Sequence, residues 1–195
     1  MPIEVRREQV LDAALRIILR DGYSAATMEA VAREAQLAKP RVYTAYPGRG
    51  PLLLALLERE QHRTITALAE AMPAFTEDTE FDTILVTALT NVLHTVTHNP
   101  DSCSLLVLPA DDAPAEVQHH VAASRQFALE RLSALLEWGR DRRPGLAQLD
   151  LELTAQSLLA VGEQAIRLTL TNPEEFTPDR YARFAERLLD SSDRR

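Results

Sequence analysis

The stretch TMEAVAREAQLAKPRVYTAY, from Thr27 to Tyr46, decides the fold of the N-terminal part of this chain. Its apolar spacing predicts two short helices joined by a tight turn, because residues three and four positions apart share one helical face. The inward positions of the first helix are Met28, Val31, Ala32 and Ala35. Leu37 fills the turn, and Val42 anchors the second helix from beneath. With the apolar helix that precedes it, this pattern predicts a helix-turn-helix.

The second of these helices keeps a polar and basic outer face, made of Lys39, Pro40, Arg41, Tyr43 and Thr44. In a helix-turn-helix this helix lies in the major groove of DNA. Arg41 can donate two hydrogen bonds to guanine, and Thr44 can meet a base edge or a thymine methyl group. Lys39, Tyr43 and Tyr46 fit phosphate contacts, which position a protein without selecting a sequence.

A longer stretch, Gly22 to Glu60, resembles the N-terminal domain of the tetracycline-repressor (TetR/AcrR) family. The matching features are Gly22-Tyr23, Thr27-Met28, Val31-Ala32 with Ala35, Lys39, Tyr43, Tyr46-Pro47 and Leu52-Leu53. They extend without gaps over some forty residues, whereas the rest of the chain matches only in layout. The resemblance implies a DNA-binding N-terminal domain and a helical body that binds a small-molecule effector. It also implies that the last two helices pair across a dimer axis.

The chain departs from the family pattern at several positions of this stretch. Gln36 stands where glycine is usual, so a non-glycine residue is expected to take a positive φ. Ala38 replaces the usual capping Ser or Thr, and Ala45 replaces a frequent aromatic or His. Gly50-Pro51 predicts that the next helix begins late, with proline as its first residue, which leaves Arg49 on a loop.

The predicted DNA contacts combine the exposed face with the positions that the resemblance adds. They are Thr27, Lys39, Pro40, Arg41, Tyr43, Thr44, Tyr46 and Arg49. Thr27 is in addition the expected N-cap of its helix. A solvated helix face is the alternative explanation for the same residues.

The remaining sequence predicts helices throughout, because no run alternates at period two for long enough to form a sheet. Proline and glycine separate the segments, with breaks expected before Pro73, at Pro109 and in the loop Arg140 to Gly145. The fold class is therefore all-α with about nine helices. We expect a helix-turn-helix domain over residues 1–50 and an effector-binding and dimerisation domain over residues 51–195.

Charge is unevenly distributed between these parts. The net charge is −8, yet residues 1–63 hold ten basic and eight acidic side chains, and the remaining residues hold eleven and twenty-one. Lys39 is the single lysine of the chain. A weakly basic N-terminal part on an acidic body is compatible with DNA binding. One cysteine, no secretory signal and no long apolar run predict a cytoplasmic protein without membrane contact.

The last two predicted helices hold more apolar side chains than packing within one chain requires. The dimerisation residues expected from them are Leu158, Leu159, Val161, Ile166, Leu170, Tyr181, Phe184 and Leu188. A homodimer is thus the expected assembly.

Two other classes of function stay open on the sequence. His94 and His98 share a helical face near Asp101 and Cys103, a spacing that a metal-dependent enzyme could use. An adaptor could use the three-helix unit for protein contacts. No Ser-His-Asp arrangement or phosphate loop occurs, and no cofactor, metal or catalytic residue is expected.

The interpretation that we favour is a ligand-responsive regulator, a repressor that binds a near-palindromic double-stranded operator. The small-molecule effector and its pocket residues are not identified by the sequence.

Overall fold

The structure, a computed structural model, describes residues 2–71, 78–107, 112–143 and 145–192. Within these ranges it contains nine α-helices, one 3-10 turn at Leu146–Gln148 and no strand, which confirms the predicted all-α class. The helices are α1 Ile3–Asp21, α2 Met28–Glu34, α3 Lys39–Ala45, α4 Arg49–Ala71, α5 Phe81–His98, α6 Pro100–Val107, α7 Ala115–Gly139, α8 Leu151–Thr171 and α9 Pro178–Ser192. The breaks predicted at Pro73 and Pro109 lie outside the described residues. None of the described helices combines the length and the apolar character that crossing a bilayer requires.

Local side-chain chemistry explains where several helices begin. The Thr27 hydroxyl accepts a hydrogen bond from the Ala30 amide at 3.1 Å and caps α2, as the sequence predicts. The Asp150 carboxylate accepts one from the Leu153 amide at 3.1 Å and caps α8. Such caps satisfy backbone amides that have no partner inside their own helix.

The predicted late start of the fourth helix is wrong. Helix α4 begins at Arg49, and the Leu52 amide donates to the Gly48 carbonyl at 3.1 Å. Pro51 fits within the first turn because its missing N–H would have had no helical partner there. Arg49 therefore belongs to the helix and not to a loop.

Packing divides the chain into two compact units, and the division differs from the predicted boundary at residue 50. The N-terminal unit consists of Met1–Arg63 and Asp101–Ala123, and the C-terminal unit consists of Thr64–Pro100 and Ser124–Arg195. The start of α4, most of α6 and the start of α7 thus belong to the same compact unit as the helix-turn-helix.

A continuous apolar core fills the N-terminal unit. Helices α1, α2 and α3 pack against one another. The core includes Val10, Ala14 and Ile17 from α1, Val31 from α2, Val42 from α3, Leu52, Leu56 and Leu57 from α4, Leu105 from α6 and Val117 from α7. This core supports the helix-turn-helix from within its own unit.

A buried ion network crosses the same unit. The fully buried Glu60 carboxylate pairs with Arg59 at 2.6 Å and Arg63 at 3.3 Å, and accepts a hydrogen bond from the Ser102 hydroxyl. Arg59 also reaches the carboxylates of Glu8 at 2.9 Å and Asp12 at 2.8 Å. Side chains of α1, α4 and α6 are therefore joined by charge-assisted hydrogen bonds.

The C-terminal unit is built on α5, against which both α8 and α9 pack. Its core contains Phe81, Leu136, Leu146 and Ala155. Gly139 is required by close packing, since a Cβ atom there would lie 2.2 Å from the Phe81 ring.

Candidate nucleic-acid interface

The turn between α2 and α3 is closed by backbone hydrogen bonds. The Leu37 amide donates to the Ala32 carbonyl at 2.9 Å, and the Gln36 amide donates to the Arg33 carbonyl at 3.1 Å. This pair of bonds is a Schellman motif, which needs one left-handed residue after the helix. Gln36 is that residue, with φ of 54°, so the predicted positive φ is confirmed.

The Gln9 side chain of α1 fixes the C-terminal end of α2. The Gln9 amide group donates to the Ala35 carbonyl at 2.7 Å. Ala35 is the C-cap of α2, so this bond satisfies a carbonyl that the helix itself leaves open. Sequence reasoning missed Gln9, because a lone glutamine on an amphipathic helix carries no signal for a distant carbonyl.

Helix α3 separates its buried and exposed residues cleanly. Val42 and Ala45 are buried against the core, as the pattern predicts for Val42. The residues that face solvent are Lys39, Pro40, Arg41, Tyr43 and Thr44. Ala38 provides no side-chain cap, again as predicted. The structure thus places five of the eight predicted DNA contacts together on one exposed helix.

The polar groups of this face remain available to a ligand. The Arg41 amide donates to the Ala38 carbonyl at 2.8 Å, but within the described residues the Arg41 guanidinium forms no hydrogen bond or ion pair. Lys39 lies 3.5 Å from the Glu29 carboxylate, but both side chains are exposed. An exposed pair of this kind contributes on the order of 0–1 kcal/mol, so a phosphate group can replace Glu29 at little cost. The Thr44 hydroxyl donates to the Pro40 carbonyl at 2.9 Å and keeps its lone pairs free to accept.

The other three predicted contacts have structural roles as well. Tyr46 is only 8% exposed, lies beneath the Arg7 guanidinium at 5.7 Å, and has a pKa that burial raises. Arg49 donates to the carbonyls of Tyr23 at 2.7 Å and Ala26 at 3.1 Å. Thr27 is engaged as the cap of α2. The contact of these three residues with DNA stays a prediction. The structural roles of Tyr46 and Arg49 were not expected from the sequence.

The predicted dimerisation residues fall into two groups by exposure. Leu158, Val161, Phe184 and Leu188 are exposed, and Leu159, Ile166, Leu170 and Tyr181 are half-buried. Leu153, which the sequence analysis did not select, is the most exposed large apolar side chain described, at 64%. Phe184 and Leu188 are one helical turn apart and share a face of α9.

The histidines of α5 are engaged locally. A ring nitrogen of His98 lies 2.7 Å from the His94 carbonyl oxygen. Across the described ranges, no group of three or more His, Cys, Asp or Glu side chains could hold a metal ion. Cys103 is buried. The alternative of a metal site at His94 and His98 therefore gains no support from the geometry.

Comparison with known proteins identifies the family of the N-terminal part. Residues 10–56 match the family model described as bacterial regulatory proteins, tetR family. The match covers α1 to α3 and the start of α4, which contain the turn and the exposed face described above. The N-terminal part of the chain, residues 10–56, belongs to the tetR family.

Relatives extend this assignment beyond the N-terminal unit. The HTH-type transcriptional activator FasR of Mycolicibacterium smegmatis is 26% identical over 179 residues, or 92% of this chain and 78% of that protein. The HTH-type transcriptional repressor KstR of the same organism is 41% identical over 58 residues, or 30% of this chain and 28% of that protein. The proteins that this chain resembles are thus transcriptional regulators and not enzymes.

The fold of the whole chain is also similar to a solved structure. The crystal structure of a TetR-like transcriptional regulator from Rhodococcus sp. RHA1 has a TM-score of 0.76 and 29% sequence identity. The similarity covers 97% of this chain and 96% of that one. The resemblance found in residues 22–60 therefore extends, as a fold, to the divergent C-terminal part.

Proposed function

We propose that this regulator is a dimeric repressor that binds a near-palindromic operator and releases it when a small-molecule effector binds. In this proposal residues 1–50 bind DNA, and residues 51–195 bind the effector and the second subunit. The observation that carries the proposal is the exposed face of α3, where the Arg41 guanidinium has no partner within the described residues and Val42 is anchored in the core.

The exposed face suits the major groove. A seven-residue helix presents its first turns to base edges while its buried side holds it on the supporting helices. Arg41 has the planar donor pair that fits guanine O6 and N7, and Lys39 and Tyr43 flank it as phosphate contacts. The Schellman turn at Gln36 and the Gln9 bond keep α2 and α3 in one arrangement, so little order has to be gained on binding.

A two-fold dimer would match the symmetry of a near-palindromic operator, and exposed apolar residues of α8 and α9 are available to form it. Val161 and Phe184 are each 60% exposed, and Leu188 and Leu158 accompany them on α8 and α9. Large exposed apolar groups on two helices that both pack on α5 suit a protein contact. A two-fold dimer would present two copies of α3 to half-sites about 34 Å apart or at a multiple of this spacing.

Repression and activation of transcription are the two candidate activities, and a similar protein is known for each. The KstR repressors match 58 residues of this chain at 40–41% identity. FasR, an activator, matches nearly the whole chain at lower identity. We favour repression, and activation is the second candidate. Transcription of the operator-linked gene in a strain that lacks this regulator decides the sign: a rise supports repression, and a fall supports activation.

The decisive test of DNA binding begins with selection of bound duplexes from random DNA. A double variant with Arg41→Ala and Tyr43→Ala is expected to abolish retention of the selected operator in fluorescence anisotropy at moderate salt. A bidentate guanine contact contributes about 1–3 kcal/mol, so Arg41→Ala alone should weaken binding by about 5- to 150-fold. The dimer mass in light scattering should not change.

Arg140→Ala is the matched control, because it removes the same charge from an exposed position in the C-terminal unit. It should bind the operator like the unmodified protein. If Arg41→Ala and Tyr43→Ala both retain operator DNA as the unmodified chain does, the assignment of α3 as the DNA-contacting helix is wrong.

The proposed release by an effector requires that effector binding and operator binding be thermodynamically coupled. Because allosteric coupling between two binding sites is reciprocal, a compound that lowers operator affinity must itself bind less tightly in the presence of the operator, by the same factor. A compound that fails this test in titration calorimetry is not the effector of this equilibrium.

A further inference from the structure

The turn between α1 and α2, Gly22 to Thr27, has backbone groups that neither helix can satisfy. Helix α1 ends at Asp21 and α2 begins at Met28. Buried or half-buried backbone groups need hydrogen-bond partners, and a short turn supplies only some of them. Here the Ala26 amide donates to the Tyr23 carbonyl at 3.0 Å, and the Thr27 amide donates to the Ala25 carbonyl at 2.8 Å. Further partners come from outside the three-helix motif.

Arg49, the first residue of α4, binds the carbonyl side of this turn. Its Nη2 donates to the Tyr23 carbonyl at 2.7 Å, and its Nε donates to the Ala26 carbonyl at 3.1 Å. The two nitrogens belong to one planar group with a fixed separation, so the guanidinium sets the distance between the two carbonyls. A lysine could not form this pair of bonds with the same geometry.

Asp112, which precedes α7, binds the amide side of the same turn. Its Oδ2 accepts a hydrogen bond from the Ser24 amide at 2.6 Å. This bond, with further bonds from the Ser24 side chain and the Tyr23 amide, lowers the pKa of Asp112. Gly22 makes the approach possible, since a Cβ atom there would lie 2.9 Å from Oδ2, and φ of 85° already disfavours other residues.

The position of α2 depends on this turn. Helix α2 has only seven residues, too few to persist without tertiary support. Its C-terminal end is fixed by Gln9, and its N-terminal end continues directly from the turn through the Thr27 cap. Helix α3 packs on α2, so a change in the entry of α2 moves the exposed face of α3 as well.

We propose that Arg49 and Asp112 are positioning residues for DNA recognition, which hold the α1–α2 turn from its carbonyl and its amide side. The inference rests on the proposed DNA-binding function and adds a residue, Asp112, that lies far outside the family motif. It also gives Arg49 a role other than the predicted DNA contact.

The charge of Asp112 makes its role testable. For loss of this carboxylate, electrostatics alone and a positioning role predict opposite changes in specific DNA affinity. Removing a carboxylate from a DNA-binding unit should strengthen binding to every duplex through phosphate attraction. A positioning residue behaves differently: its loss weakens specific binding and leaves non-specific binding unchanged or slightly stronger. The ratio of specific to non-specific affinity is therefore the diagnostic quantity.

The experiment measures that ratio for the full-length protein with Asp112→Ala, Asp112→Asn and the control Glu116→Ala. Glu116 is an exposed carboxylate in the first turn of α7, within the same compact unit. We expect Asp112→Ala to lower specific affinity about threefold, since the lost hydrogen bond joins two exposed residues and water replaces part of it. Asp112→Asn, which keeps an acceptor oxygen, should lose less, and Glu116→Ala should lose nothing.

Arg49→Lys separates positioning from phosphate contact. It keeps the charge, so a phosphate contact would be preserved together with the affinity. The positioning role predicts a loss of specific affinity of about fivefold, with an unchanged slope of affinity against salt concentration. Retained affinity in Arg49→Lys would overturn the Arg49 assignment.

Hydrogen exchange provides a readout that does not depend on DNA. In Asp112→Ala the amides of the turn and of α2 should exchange faster, at least about fivefold, whereas those of the α1 core should not change. Unaltered exchange, or an unaltered affinity ratio, would overturn the role of Asp112. Failure of the unmodified protein to bind any selected duplex would instead overturn the proposed function, and the exchange result would still decide whether Asp112 holds the turn.

Discussion

The N-terminal unit buries a carboxylate among paired cations, whereas the C-terminal unit leaves apolar side chains of α8 and α9 in solvent. Glu60 is fully buried and bound by Arg59, Arg63 and Ser102. By contrast, Leu153, Val161 and Phe184 are the three most exposed large apolar side chains described, at 64%, 60% and 60%.

This difference indicates which interactions each unit completes by itself. A buried charge is tolerated only when its partners are present, and here they come from the same compact unit. Several large apolar side chains left in solvent on α8 and α9 suit a contact that the single chain does not contain. We therefore expect substitutions inside the N-terminal unit to lower the free energy of unfolding. Substitutions of the exposed apolar residues of α8 and α9 should instead alter the assembly of the protein.

The largest effect is expected for Glu60→Ala, which tests the first half of this contrast. The change leaves Arg59, nearly buried, without its closest carboxylate. Removing one partner of a buried ion pair is strongly destabilising, so we expect the free energy of unfolding to fall by about 3 kcal/mol. Denaturant unfolding followed by circular dichroism measures it.

Two further variants define what that result means. Glu58→Ala, on the same helix but exposed, should change stability by less than about 0.5 kcal/mol. Glu60→Gln, which keeps the hydrogen bond from Ser102, should lose less than Glu60→Ala. A Glu60→Ala protein as stable as the Glu58→Ala protein would show that the network contributes nothing to the fold.

Phe184→Glu tests the second half of the contrast. A carboxylate on the exposed apolar surface should not perturb a core to which Phe184 does not belong, but it should block a dimer contact. We expect a monomer in light scattering at micromolar concentration. Operator affinity should fall at least about 100-fold, because the second half-site is no longer bound with a high effective concentration.

Leu19→Glu serves as the comparison, since Leu19 is an exposed apolar residue of the N-terminal unit. Its dimer mass should equal that of the unmodified protein. A dimer that persists in both variants would remove Phe184 from the proposed interface and would leave its exposure without an explanation.

The smallest effect is expected at the turn that joins the two helices of the motif. Gln36→Gly relieves a positive φ of 54° and should raise the free energy of unfolding by about 1 kcal/mol. In a chain of this size the melting temperature should rise by roughly 2–4 °C in calorimetry. Gln36→Ala keeps the backbone strain and should not raise the melting temperature. An equal rise of the melting temperature in both variants would show that relief of the positive φ is not its cause.

Much of the DNA-binding candidate site could be predicted because its determinants are local. Apolar spacing defined the buried side of α2 and α3, the exposed face followed from it, and the family pattern pointed to the strained position of Gln36. The start of α4 was predicted incorrectly, because proline is tolerated throughout the first turn and does not mark the first helical residue, so Arg49 can lie inside the helix. There it binds the carbonyls of Tyr23 and Ala26.

The sequence by itself determined the helical class, the place of the helix-turn-helix and the side chains on its exposed face, since helix periodicity and turn chemistry act over a few residues. Only the tertiary structure decided that Gln9, Glu60 and Asp112 support that motif. These contacts join residues 26, 42 and 88 positions apart. A polar side chain becomes a partner for a distant carbonyl, hydroxyl or amide only when folding brings the two within hydrogen-bond distance, and no local pattern records that event.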